Sequence, residues 1–194
     1  MNPPDQVLAY QEAGWSLVPA TIEGKRALTP WRRWQQVAPD PDQLREWAHR
    51  WSRCNWAVIT GQLSAVVVVD IDPRHHGDHA LAELEQRHGD LPWHSVVETP
   101  SAGVHVYLRH PGGRIPNSAS RIGLGIDIRG DGGLALLRPA DGQTASTGGR
   151  SVGPAASPRC PPPGPNCSDQ PPGLLRVARQ QAQEPRRSPS PPAG

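Results

Sequence analysis

Four valines in a row, Val66 to Val69, run directly into Asp70, Ile71 and Asp72. Branching at Cβ stiffens these side chains and suits extended backbone. Because successive strand residues point to opposite faces, an unbroken valine run is apolar on both faces at once. Such a strand has to be covered on both sides. NWAVITG, residues 55–61, is a second apolar pulse separated from the first by the turn residues GQLS. The two pulses require a central, covered sheet, and the placement of everything else follows from that requirement.

The material for covering it lies upstream. All seven Trp and both Tyr fall at or before Tyr107, whereas 13 of the 24 prolines fall from Pro139 onward. Lys plus Arg against Asp plus Glu is 14 against 15 in residues 1–138 and 6 against 3 in residues 139–194, so the small net positive charge belongs to the tail. It says nothing for a basic surface on the folded part. Residues 1–138 are therefore expected to form one domain, and the Pro, Gly, Ser and Arg of residues 139–194 a tail too poor in apolar side chains to repay the entropy of ordering. Cys54, Cys160 and Cys167 are odd in number and widely spaced, which supports neither a disulfide framework nor a four-ligand zinc site. No apolar run reaches the roughly 20 residues that span a bilayer, and MNPPDQ lacks the features of a signal peptide. A cytoplasmic protein without membrane attachment is expected.

Local pattern supplies the element order. PPDQVLAYQEAG reads as a short helix with Asp5 as its cap and Gly14 as its stop, followed by the strand WSLVP and the loop TIEGKRALTPW. In DPDQLREWAHRW, Asp40 can cap, Pro41 suits the first turn, and Leu44, Trp47, Ala48 and Trp51 recur at helical spacing. After the two apolar strands, GDHALAELEQRHGD is a helix entered at Asp78, with Leu81, Leu84 and His88 on one stripe. Four strands close the series: SVVET, then VHVYLRH after a PSAG turn, then GIDIRG and GGLALLR around a glycine turn. GLLRVARQQAQ, inside the tail, can form a brief helix.

Asp70 and Asp72 share a strand face and lie about 7 Å apart along it, while Pro73 ends the strand. Carboxylates so close repel unless a cation bridges them, and hard divalent ions are the obvious bridge. Taken alone the pair is equally compatible with a capped strand end, an aspartyl phosphatase and a sugar-nucleotide transferase. TPSAGVHVYLR adds a small-residue turn followed by His105, so that a hydroxyl and an imidazole can converge on an anion. GIDIRGDGG adds Asp127, with Arg129 on its face. A third carboxylate is what a two-metal site would use. His75, His76 and His79 could suggest a further metal cluster, although capping and turn formation explain them more simply.

The ordered series AGWSLVP, GKRALTPW, NWAVITGQLSAVVVVDID, HGDLP, TPSAGVHVYLR and GIDIRGDGG resembles the N-terminal domain of bifunctional DNA primase/polymerases, of the archaeo-eukaryotic primase superfamily. The resemblance implies an α+β catalytic core with a mixed central sheet flanked by helices. It implies that Asp70, Asp72 and Asp127 hold two Mg²⁺ or Mn²⁺ ions and that His105 contacts the triphosphate of an incoming nucleotide. Ser101 would sit in the same phosphate turn, and Lys25, Arg26 and Arg129 are basic positions for phosphate or template. Nucleoside triphosphates, a single-stranded DNA template and a replicative helicase are the implied partners, in replication of a plasmid, phage or other mobile element. Ala102 stands where family members often carry Gly.

After GDGG the resemblance weakens: Leu134 stands at an aromatic position and Arg138-Pro139 replaces a double proline. The closing part of the fold is expected to be missing, as in a truncated or frame-shifted domain. Two functions then compete, an active primase/polymerase and a catalytically inactive nucleotide or nucleic-acid binder.

Overall fold

A computed structural model of the chain describes residues 3–22, 26–91, 96–99, 102–137 and 173–183. The expected absence of closing strands after Arg138, and most of the expected tail, lie outside the described residues. The elements come in the order the pattern predicts: α1 (Asp5–Glu12), β1 (Leu17–Ala20), α2 (Pro41–Arg50), β2 (Asn55–Ile59), β3 (Val66–Ile71), α3 (Gly77–His88), β4 (Val96–Glu98), β5 (Val104–Arg109), β6 (Ile126–Arg129) and β7 (Leu134–Leu136). The brief helix read in GLLRVARQQAQ is α4 (Gly173–Gln183).

Helix ends follow local chemistry. The Asp40 carboxylate accepts from the Gln43 backbone N–H at 2.8 Å, and Pro41 opens α2. Two expected caps move upstream, the first by one residue and the second by two. Pro4 is the residue before α1, with Asp5 already in the first turn. The residue before α3 is His76, in the left-handed region at φ 62°, so the helix begins at Gly77.

The class is α+β, but the single mixed sheet expected from the sequence is instead two antiparallel sheets, β1-β2-β7 and β4-β5-β3-β6. The apolar strands β2 and β3 thus belong to different sheets, with Gly61 and Val66 exchanging backbone hydrogen bonds where the chain crosses over. The glycine turn after β6 makes the second crossing and hands β7 to the smaller sheet. Parallel pairing needs a crossover that returns the chain beside its starting strand. The segment through α3 leads instead to β4, which pairs with β5 at the edge of the described sheet.

This division explains the valine run. Val66 and Val68 face the first core with β1, β2, α2, Trp15, Trp34 and Tyr107, whereas Val67, Val69 and Ile71 face a second core with α3, β6 and α4. All four valines are at most 3% exposed, each contributing roughly 1.5–3 kcal/mol of apolar burial. The two faces are covered by different layers. Leu174, Leu175 and Ala178 of α4 are buried in the second core, so this part of the expected tail packs on the domain.

Candidate active site

The ladders of the larger sheet set two carboxylates and an imidazole side by side. Asp70 on β3 is directly opposite His105 on β5 and directly opposite Asp127 on β6. Paired residues of antiparallel strands point to the same face, with strands about 4.8 Å apart. One step back along the same face, Val68 pairs with Tyr107 and Arg129. That face therefore changes character along β3: at Val66 and Val68 it meets the first core, and from Asp70 onward it carries charge.

Every carboxylate oxygen in the row has a neighbour. Arg129 Nη2 donates to Asp70 Oδ2 at 2.8 Å and to Asp127 Oδ2 at 3.3 Å. Asp70 Oδ1 lies 3.5 Å from His105 Nε2. Asp127 Oδ1 accepts from the Ser120 backbone N–H at 3.0 Å. Burial pushes the Asp70 carboxyl up, but hydrogen bonding and charge from His105 and Arg129 outweigh it, and the net shift is downward. Asp70 is thus held as an anion at neutral pH. His105 is 9% exposed, and its buried Nδ1 has no hydrogen-bond partner among the described residues.

Asp72 follows the strand and is committed to its own turn. Its carboxylate accepts from the Arg74 backbone N–H at 3.0 Å and from the Arg74 guanidinium at 3.0 and 2.8 Å, and it lies 3.0 Å from His75 Nδ1. The Arg74 guanidinium holds this carboxyl well below the usual carboxylate range. Around this turn the backbone is crowded: a Cβ on Gly77 would come within 2.6–2.9 Å of Gly125 and Asp72 main-chain atoms, and one on Gly103 within 3.0 Å of the Ile71 carbonyl. Glycine is required there by close approach.

The remaining sequence candidates are spread out. Lys25 and Ser101 lie outside the described residues. The Thr99 backbone N–H donates to the Gly103 carbonyl at 2.8 Å, and Ala102 adopts φ 61°. Arg26 is exposed beside Ala27, which bridges to Ala20 of β1 in the smaller sheet; the hydrogen bonds of the acidic row do not include it. His75 serves the Asp72 turn, and His76 precedes α3 with its ring 6.4 Å from that of His79. Among the described residues no group of three or more His, Cys, Asp or Glu gathers as a ready metal cluster. Sequence reasoning missed Ser120 and Arg74. The Asp-Pro-Arg run could have signalled the latter, since an Asp before a turn tends to bond the backbone two residues on.

The donor set still suits a hard divalent cation. Oδ2 of Asp70 and Oδ2 of Asp127 converge on one point, that of the Arg129 nitrogen. Ions such as Mg²⁺ take one or two carboxylates from a protein and complete their shell with water and substrate phosphate.

No curated protein matches the sequence. Residues 7–167 match the family model of the bifunctional DNA primase/polymerase N-terminal domain, which spans well over half of the chain. The acidic row on β3 and β6 and the histidine beside it on β5 therefore sit in a chain that belongs to the bifunctional DNA primase/polymerase family.

Proposed function

We propose that the chain catalyses template-directed nucleotidyl transfer, making or extending primers with Asp70, Asp127 and His105 at its centre. The observation that carries this reading is the register that sets two carboxylates and an imidazole in one row across three adjacent strands. Family membership supports DNA and nucleotides as the substrate class, and the reading takes them as nucleoside triphosphates on a single-stranded template.

Asp70 and Asp127, joined by Asp72 if its turn opens, would hold Mg²⁺ or Mn²⁺. When bound, the metals lower the pKa of an attacking 3′-hydroxyl and neutralise charge on the triphosphate and the departing pyrophosphate. The chain's own part is positioning and charge. Ladder hydrogen bonds on both sides of β3 fix the spacing of the acidic row, and Tyr107 and Val68 close the space behind it. Arg129 and His105 flank the carboxylates, and the Arg129 guanidinium and the His105 ring N–H present donors toward a polyanion. Ser101, Lys25 and Arg26 would extend that surface for phosphate and template. We assign the setting, replication of a plasmid, phage or mobile element with a helicase partner, on family membership alone.

The test is incorporation of nucleotides on a single-stranded template with Mg²⁺ or Mn²⁺, by the full chain and by Asp70→Ala and Asp127→Ala. Activity lost in both variants supports the reading. Template or nucleotide binding without incorporation, indifferent to both substitutions, would instead identify a binding protein.

A further inference from the structure

Asp70 and Asp127 share one point of convergence, and the chain's own guanidinium takes it. Their other oxygens face elsewhere: Oδ1 of Asp70 toward His105, and Oδ1 of Asp127 onto the Ser120 backbone N–H. A divalent cation that used both carboxylates would have to approach the oxygens that Arg129 Nη2 contacts at 2.8 and 3.3 Å. Metal–oxygen distances of about 2.1 Å leave no room for both, and like charge opposes their coexistence.

We infer that Arg129 is a built-in competitor of the divalent metal, and that its displacement couples metal binding to triphosphate binding. The inference rests on the nucleotidyl-transfer reading of the site and deepens it. Arg129 suits an exchange of this kind. Its side chain is 37% exposed, so the guanidinium reaches solvent, and it stands on the strand that carries Asp127. Two adjacent carboxylates with no cation would repel, so the guanidinium keeps the empty row charge-balanced and resists occupation by a lone metal. A metal that arrives with a triphosphate behaves differently. It replaces Arg129 on the carboxylates, and the freed planar fork finds a new anion in the phosphates, which it fits well. The site would then favour the metal–nucleotide complex over free metal.

The experiment measures Mn²⁺ binding by electron paramagnetic resonance on the full chain, on Arg129→Gln and on Arg129→Lys. Each is measured alone and with a non-hydrolysable deoxynucleoside triphosphate analogue, and Asp127→Asn is the site control. Without nucleotide, Arg129→Gln should bind Mn²⁺ roughly tenfold tighter than the unmodified chain, the size expected for one unit charge removed a few ångströms away in a partly solvated site. The analogue should raise Mn²⁺ affinity several-fold in the unmodified chain and much less in Arg129→Gln. Arg129→Lys keeps the charge but not the fork, so it should fall between them, and it serves in place of the Gln variant if that one does not fold. Mn²⁺ should also raise the melting temperature of Arg129→Gln more than that of the unmodified chain.

Equal or weaker Mn²⁺ binding by both Arg129 variants, still abolished by Asp127→Asn, overturns the competition and leaves nucleotidyl transfer standing. Mn²⁺ binding that Asp127→Asn does not reduce in any chain, with or without nucleotide, overturns both.

Discussion

Replacing Gly130 by alanine tests whether the two sheets are locked together behind the acidic row. Gly130 follows Arg129 at the end of β6. A Cβ there would collide with the Ile115 carbonyl oxygen and lie 2.9 Å from the Pro116 oxygen. Neither side can give way easily. The Ile115 carbonyl accepts from Asp131 N–H at 2.6 Å, and Ile115 itself is fully buried. On the other side, Gly130 N–H donates to Asn117 Oδ1 at 2.9 Å, and its carbonyl accepts from the Thr60 hydroxyl at 2.6 Å. Overpacking of this kind costs about 1–3 kcal/mol, and losing one of these hydrogen bonds adds about 1–3 kcal/mol. A combined loss of roughly 3 kcal/mol corresponds to a fall in Tm of about 6–12 °C for a chain of this size. Gly112→Ala provides the comparison: Gly112 is at φ 78° with nothing near a Cβ, so only the left-handed conformation is penalised, by about 1–2 kcal/mol. Both are read by thermal melting of the full chain. If Gly130→Ala melts at or above Gly112→Ala, the crowding argument is wrong.

Three further expectations concern other parts of the molecule. Leu175→Ala removes a side chain that is 1% exposed in the second core and should cost about 2–5 kcal/mol in urea denaturation; an unchanged midpoint would show that α4 lies outside the cooperative unit. Tyr107→Phe deletes the hydroxyl that donates to the Leu136 carbonyl across the two sheets and should cost about 1 kcal/mol, and a stabilised variant would refute that link. Burial pushes the Cys54 thiol up, ahead of a smaller lowering by a backbone hydrogen bond. Peptide mapping after alkylation at pH 8 should therefore find Cys54 modified more slowly in the native chain than in urea, and equal rates would contradict the assignment.

What the sequence carried was direction along the chain and direction across each strand. The alternation in VHVYLRH correctly sent Val104, Val106 and Leu108 to one side and His105 and Tyr107 to the other, and the same rule joined Asp127 to Arg129. Periodicity is a local property, and it names no partner. It therefore could not say that β2 and β3 would separate into different sheets, or that Asp70 would stand level with both His105 and Asp127. The same limit hid the role of Arg129, which depends on a residue 59 positions away. It also hid the docking of α4, which the sequence offered only as a brief helix inside the tail and not as a layer on the second core. The Asp72 turn is of a different kind: its partners, Arg74 and His75, are close neighbours, so a local Asp-Pro-Arg signal and a metal-binding spacing overlap on the same residues.

The row formed by His105, Asp70 and Asp127 also determines what kinds of sequence change the site can absorb. Each member comes from a different strand, and the ladders between those strands set them level. Inserting or deleting one residue within β3, β5 or β6 would turn the rest of that strand over, exchanging charged side chains with core ones. The loop between β5 and β6 is held by contacts of its own rather than by a strand register, with His110 against Asp131, Ile115 and Ile122 in the second core, Asn117 on Gly130 and the Gly125 carbonyl on the Asp72 N–H. Substitutions can change this centre by degrees, but a shift of register removes it in a single step.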